Sequence, residues 1–106
     1  MKVAITSTGN SLNSNVDSRF GRCSYFVIYD KETEAIEFIP NQSQKLTEGV
    51  GTSAVEFLLS RNISMVVSGE FGSKIKPMFD SRKVTMIVVK EPKTIDDIIK
   101  LINHKK

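Results

Sequence analysis

Asp17-Ser-Arg-Phe-Gly-Arg-Cys-Ser-Tyr-Phe26 organises this chain. It contains both arginines of the first half, the only cysteine, and a glycine between two aromatic residues. It runs directly into Tyr25-Phe-Val-Ile-Tyr29, an aromatic and β-branched run that reads as a strand. Upstream, Lys2-Val-Ala-Ile-Thr6 reads as a short buried strand, separated from the arginine segment by the polar residues Ser7 to Ser18. A loop of that length exceeds what joining two strands requires, and long loops tend to be functional or disordered. A plainer reading stands beside this one. Phe20, Tyr25 and Phe26 would cover one end of a core, Gly21 would allow a turn, and the arginines would be solvated.

Working outward, Asp30-Lys-Glu-Thr-Glu34 is a turn and Ala35-Ile-Glu-Phe-Ile39 a third strand, so the pair predicts a hairpin. Pro40-Asn41 ends it, because proline has no N–H to give to a ladder. After the polar loop 42–48, Val50, Ala54, Phe57 and Leu58 recur at helical spacing as far as Arg61, with Thr52 or Ser53 expected as N-cap. Ser64 to Ser68 is a fourth strand, closed by Gly69-Glu-Phe-Gly72. Ser73 is the expected cap of a second helix with Ile75, Met78 and Phe79 on its apolar face, and Pro77 is tolerable in the first turn. Val84 to Val89 is a fifth strand. Thr94 is expected to cap a last helix facing inward through Ile95, Ile98, Ile99 and Ile102, with Asn103 to Lys106 as a frayed tail.

The element order is therefore βββαβαβα. With right-handed crossovers, the first three strands form a meander and the last two add beyond strand one. The predicted architecture is an α/β, ribonuclease H-like mixed sheet of order 3-2-1-4-5, with strand two antiparallel and three helices. In that topology Arg19 to Cys23, the end of strand three, Gly49 and Gly51, and Gly69 to Gly72 all converge on one rim. The carboxyl ends of the parallel strands also point there, and open α/β sheets bind ligands at that edge.

Composition narrows the function classes. At 106 residues and 40% hydrophobic content, residues 1–106 are expected to form one domain with an ordinary small core. No apolar run reaches membrane-spanning length and nothing resembles a signal peptide, so a cytosolic chain is expected. One cysteine excludes an internal disulfide and a multi-cysteine zinc site. A net charge of +3 favours an anionic partner weakly and does not call for nucleic acid.

The chemistry at the rim is that of binding rather than turnover. A two-metal nuclease needs several carboxylates on the central strands, and Asp17 and Glu70 are too few. The only histidine, His104, lies in the tail, so Cys23 has no base. Arg19 and Arg22 are placed to lower the Cys23 pKa, and a thiolate is a good ligand for soft metals and iron–sulfur clusters. A small half-buried residue opening strand two is the competing reading for Cys23. Gly49-Val-Gly51 at a helix start offers backbone N–H groups to an anion, or else a tight turn and close packing. Gly69 and Gly72 carry the same two readings, and neither pair completes a phosphate-binding motif. Met65, Met78 and Met86 read as core.

Ser18-Arg-Phe-Gly-Arg-Cys-Ser-Tyr-Phe-Val-Ile-Tyr-Asp30, Pro40-Asn41, Gly49-Val-Gly51 before a helix, and Ser68-Gly-Glu-Phe-Gly72 together resemble the dinitrogenase iron-molybdenum cofactor biosynthesis family. The resemblance runs in order over nearly the whole chain. It implies a small ribonuclease H-like domain that carries or binds the iron-molybdenum cofactor or an iron–sulfur precursor. Its partners would be the anionic metallocluster and cofactor-assembly proteins, with neither nucleic acid nor membrane. The expected state is a monomer or weak homodimer without enzymatic activity.

Carried over by position, Arg19 and Arg22 would offset cluster charge and Cys23 would ligate an iron. Phe20 and Gly21 belong to the same block, while Gly49, Gly51, Gly69 and Gly72 would admit a bulky cluster. Many relatives have a histidine just before the first glycine pair, where this chain has Glu48. The alternative is a metal-free interaction module that presents the same loop, with Phe20 and Arg22 as contact anchors.

Overall fold

A computed structural model describes residues 1–104; the fraying expected at Lys105 and Lys106 lies outside the described residues. Five strands and three helices follow the expected order: β1 (Lys2–Ser7), β2 (Tyr25–Asp30), β3 (Ile36–Pro40), α1 (Val50–Ser60), β4 (Met65–Ser68), α2 (Ile75–Asp80), β5 (Thr85–Val88) and α3 (Ile95–His104). The sheet order is β3-β2-β1-β4-β5. β2 is antiparallel to both neighbours, while β1–β4 and β4–β5 are parallel. The ribonuclease H-like arrangement is therefore the one read from the crossovers.

Alternation along the strands builds two cores. Ala4, Phe26, Ile28 and Val66 point to one face, where Ala54, Val55 and Leu58 of α1 and Ile75 and Phe79 of α2 cover them. Val3, Ile5, Val27, Tyr29 and Val67 point to the other, under Ile95, Ile98, Ile99 and Ile102 of α3. Each of these isoleucines contributes about 1.5–3 kcal/mol when fully buried, so α3 is held by its stripe. Met65 packs against the α3 core, and Met78 and Met86 against the other.

Helix ends depart from expectation in three places. α1 starts at Val50 because Gly49 adopts φ +67°, and the Ser53 N–H donates to the Gly49 carbonyl at 2.9 Å. Neither Thr52 nor Ser53 is its cap; a left-handed glycine starts the helix earlier, where side-chain polarity gives no sign of it. α2 begins after Lys74 without the Ser73 cap, and the Gly72 carbonyl accepts from Ile75 and Lys76 instead. Asn103 is not frayed: it lies within α3, and its Oδ1 accepts from the Tyr29 hydroxyl at 2.6 Å. The Thr94 cap is as expected, with Asp97 N–H donating to Thr94 Oγ1 at 3.1 Å and Thr94 N–H to the Asp97 carboxylate at 3.0 Å.

Candidate functional site

The antiparallel register pairs Ser7 with Tyr25 and Tyr25 with Pro40, so the end of β1, the start of β2 and the end of β3 meet at one edge. The ends of β4 and β5 reach the same edge. The Asp17 carbonyl fastens the arginine segment there, accepting from Thr6 Oγ1 at 2.8 Å, Gly69 N–H at 3.1 Å and Ser68 Oγ at 3.4 Å. This junction is tight: a Cβ on Gly69 would fall inside 3.0 Å of Ser18 Cα. Gly21 lies against α1, where an added Cβ would meet Gly51 N and Cα at 3.3 Å. Gly51 and Gly72 both neighbour Ile75, and Gly49 opens to space.

Phe20 and Cys23 of the arginine segment face inward. Phe20 is 3% exposed, with its ring centroid 5.5–5.9 Å from those of Phe26, Phe71 and Phe79. It is a core residue, which removes it as an exposed contact anchor. Cys23 is fully buried and its Sγ donates to the Phe20 carbonyl at 3.3 Å. Burial, with the nearby Asp17 carboxylate second, pushes its thiol up to about 12 from 9.0. The expectation that the arginines turn Cys23 into a thiolate is thereby corrected. Arg19 is engaged by Asp17, whose carboxylate accepts from Arg19 N–H, Nε and Nη2 at 2.9, 3.2 and 3.3 Å. That pairing raises the Arg19 pKa and cancels its charge locally.

Arg22 keeps its charge. Its Nη1 donates to the Gln44 carbonyl at 3.0 Å, and it forms no ion pair among the described residues. The polypeptide around it is laced to residues 41–44. Asn41 Nδ2 donates to the Gly21 carbonyl at 2.8 Å and the Cys23 carbonyl at 2.9 Å, and Asn41 N–H to the Ser24 carbonyl at 3.0 Å. Gln44 Nε2 donates to the Arg22 carbonyl at 3.3 Å. Four consecutive carbonyls are thus taken up by one neighbouring segment. Asn41 and Gln44 escaped the sequence reading as site residues; the one available signal was an asparagine after the proline that closes a strand.

The N-termini of the two longer helices are treated in opposite ways. At α3, Ile95 N–H donates to the Ser14 carbonyl and Asp96 N–H to the Leu12 carbonyl, so the β1–β2 loop and the Thr94 cap close the end. At α1, no side chain caps the helix, and the N–H groups of Val50, Gly51 and Thr52 have no acceptor among the described residues. Those of Gly21 and Arg22 also lack one. Unpaired N–H groups at a helix start favour an anion, and here a second donor-bearing segment lies in contact.

Side-chain coordination has little to work with at this rim. Among the described residues there is no group of three or more histidine, cysteine or carboxylate side chains placed to share a metal ion. Among the described residues no helix is long and apolar enough to cross a membrane.

Comparison with known proteins adds three findings. A family model described as dinitrogenase iron-molybdenum cofactor matches residues 1–105. The apo form of the orange protein from Desulfovibrio gigas superposes with a TM-score of 0.87 at 28% identity, covering 95% of this chain and 85% of that one. A Thermotoga protein, provisionally described as a NifB protein of the DUF35 family, superposes at 0.83 with 28% identity, covering 98% and 88%. No curated protein sequence matches the chain significantly.

Proposed function

The chain belongs to the dinitrogenase iron-molybdenum cofactor family, and from that premise we propose that it is a binding or carrier protein for an anionic iron–molybdenum or iron–sulfur cluster. The observation that carries this reading is the contact between Gly21 and the uncapped start of α1, which brings unpaired backbone donors together next in sequence to Arg22, a cation without an acidic partner among the described residues. An anionic cluster with peripheral sulfide is cargo suited to such donors, since N–H groups stabilise negative charge without contributing a formal charge of their own. The relatives support the class: one is described in an apo form, the other provisionally as a NifB protein.

In this proposal Arg22, Gly21, Gly49 and Gly51 border the cargo directly. Arg19, Gly69 and Gly72 hold the rim in shape, and Phe20 supports it from the core. Cys23 becomes an iron ligand only if residues 20–24 swing out and the thiol loses its proton, because Sγ is now buried. The protein works by binding and handing over, with residues 1–106 as one unit in the cytoplasm and cofactor-assembly proteins as its partners.

The test is anaerobic titration with isolated iron-molybdenum cofactor or a synthetic iron–sulfur cluster, followed by visible absorption and native gel mobility. Wild type is expected to bind stoichiometrically, and Arg22→Glu to bind much more weakly. Loss of binding in Cys23→Ala makes Cys23 a ligand and requires the segment to open; retention assigns the hold to the donors and Arg22. Absence of binding in wild type overturns the proposal in favour of a metal-free interaction module.

A further inference from the structure

Next to the Gln44 carbonyl that accepts from Arg22, a groove of about 320 Å³ lies between the start of β2, the end of β3 and residues 41–45. Its lining contains no carboxylate. Asn41 and Gln44 form part of its wall, and their amides are already committed to the carbonyls of residues 21–24. Asn41 Oδ1 also accepts from Ser43 N–H at 3.0 Å, and Ser43 Oγ donates to Ser53 Oγ at 2.6 Å, tying the wall to α1. The wall is therefore braced by bonds that a ligand need not disturb. Tyr25, Gln42 and Lys45 are differently placed: they line the groove, and their polar side-chain atoms have no partner among the described residues.

These features describe a cavity that selects by charge. Lys45 and the neighbouring Arg22 are both cations without an acidic partner among the described residues. A cation would meet two like charges there, and an apolar molecule would strand several donors. An anion would meet an ammonium group, a phenol and an amide, each able to donate. Nearby carbonyl oxygens, which would repel it, already accept hydrogen bonds.

We propose that this groove is a binding site for a small, multiply charged anion, with Lys45, Tyr25 and Gln42 as contact residues and Arg22 shared with the rim on the α1 side. The inference rests on the anion-binding reading of the rim and deepens it, because it places part of the hold where no glycine motif points. Arg22 then serves two donor sets, the α1 start that Gly21 touches and the groove that Gln44 lines.

The experiment is titration of the ¹⁵N-labelled chain with molybdate as probe, read by amide shifts, with perchlorate as a singly charged control. Saturable shifts are expected at residues 21–25 and 41–45. Lys45→Ala, at an exposed position, is expected to weaken them about three- to tenfold without changing the melting temperature. Tyr25→Phe should weaken binding less, since it removes one donor and keeps the ring. Shifts confined to residues 49–52 with 41–45 unmoved would overturn the groove while leaving the rim reading standing. Equal affinity in Lys45→Ala, or equal response to perchlorate, would overturn it as a selective site. Failure of molybdate to bind anywhere, with cluster binding intact, would likewise overturn the groove alone.

Discussion

The Cys23 thiol reports on the closed state of the rim through its own proton. Its pKa stands at about 12, against an ordinary 9.0, because desolvation and then Asp17 disfavour the thiolate more than the surrounding hydrogen bonds favour it. An acid whose pKa is higher folded than unfolded holds its proton more tightly in the native state. Its contribution to stability is complete below about pH 9 and is lost as pH rises towards about 12. The whole effect is on the order of 4 kcal/mol, of which on the order of 1 kcal/mol is gone by pH 10. Lysines and tyrosines titrate in the same window, so the informative quantity is the difference between wild type and Cys23→Ala. That variant loses some packing at every pH but carries no thiol. Urea denaturation at pH 8 and pH 10 should show the gap between them narrowing by on the order of 1 kcal/mol. Alkylation offers an independent reading. At pH 8 an ordinary thiol is roughly one-tenth thiolate, whereas one with pKa about 12 is roughly one part in 10⁴. Iodoacetamide should therefore modify the native protein about 10³ times more slowly than the unfolded chain, before shielding is counted. Alkylation within tenfold of the unfolded rate, together with a pH-independent stability gap, would refute the reasoning.

Two further substitutions probe the rim from opposite directions. Gly69→Ala drives a methyl group into the Ser18 backbone, which is pinned by the Asp17 carbonyl network; a loss of about 1–3 kcal/mol is expected in urea melts, and a loss under about 0.5 kcal/mol would show that the junction yields. Glu48→Gln should act with two signs: a carboxylate beside the uncapped start of α1 complements the helix dipole, so its removal costs about 0.3–1 kcal/mol of stability. The same removal should strengthen anion binding in the cluster titration, and weaker binding would mean that Glu48 helps to hold the cargo.

The strand order was legible because each strand is a short β-branched or aromatic run between clear breakers, and because crossover handedness leaves one arrangement. α3 was legible for a different reason: Ile95, Ile98, Ile99 and Ile102 repeat at helical spacing behind a complete capping box. The α1 start was not, since the decisive event is a left-handed Gly49, and a glycine in sequence does not reveal which sign its φ takes. The candidate site was legible only in its layout. Convergence on one rim follows from topology alone. The electrostatics of Cys23 do not, because adjacency in sequence put two arginines beside it, while folding gave one to Asp17 and turned the other to the Gln44 carbonyl. Phe20 shows the same limit: an aromatic residue in a basic loop is equally compatible with a contact surface and a core plug, and its packing on Phe71 and Phe79 decides for the core.

The β1–β2 loop is where sequence and structure together change the meaning of a feature. Its length suggested function, yet its early part has a structural use. Thr8 and Asn15 pair with each other, Val16 N–H donates to the Lys93 carbonyl, and the Leu12 and Ser14 carbonyls close the start of α3. Those residues stabilise a helix whose first-turn donors would otherwise be unsatisfied. Only the second part, from Asp17 onward, turns to the rim, and there the backbone is arranged the other way. The carbonyls of residues 21–24 are consumed by Asn41 and Gln44, while the N–H groups of Gly21, Arg22 and the α1 start are left without acceptors. One connection thus spends its carbonyls closing one helix end and, farther along, has its carbonyls bound so that donors predominate beside another. A packed core gains nothing from that second arrangement, since each unpaired N–H group forgoes a bond worth about 1 kcal/mol. The asymmetry is what a site for a negatively charged ligand needs, and it is why the donors of the α1 start, rather than the lone cysteine, form the centre of the proposed function.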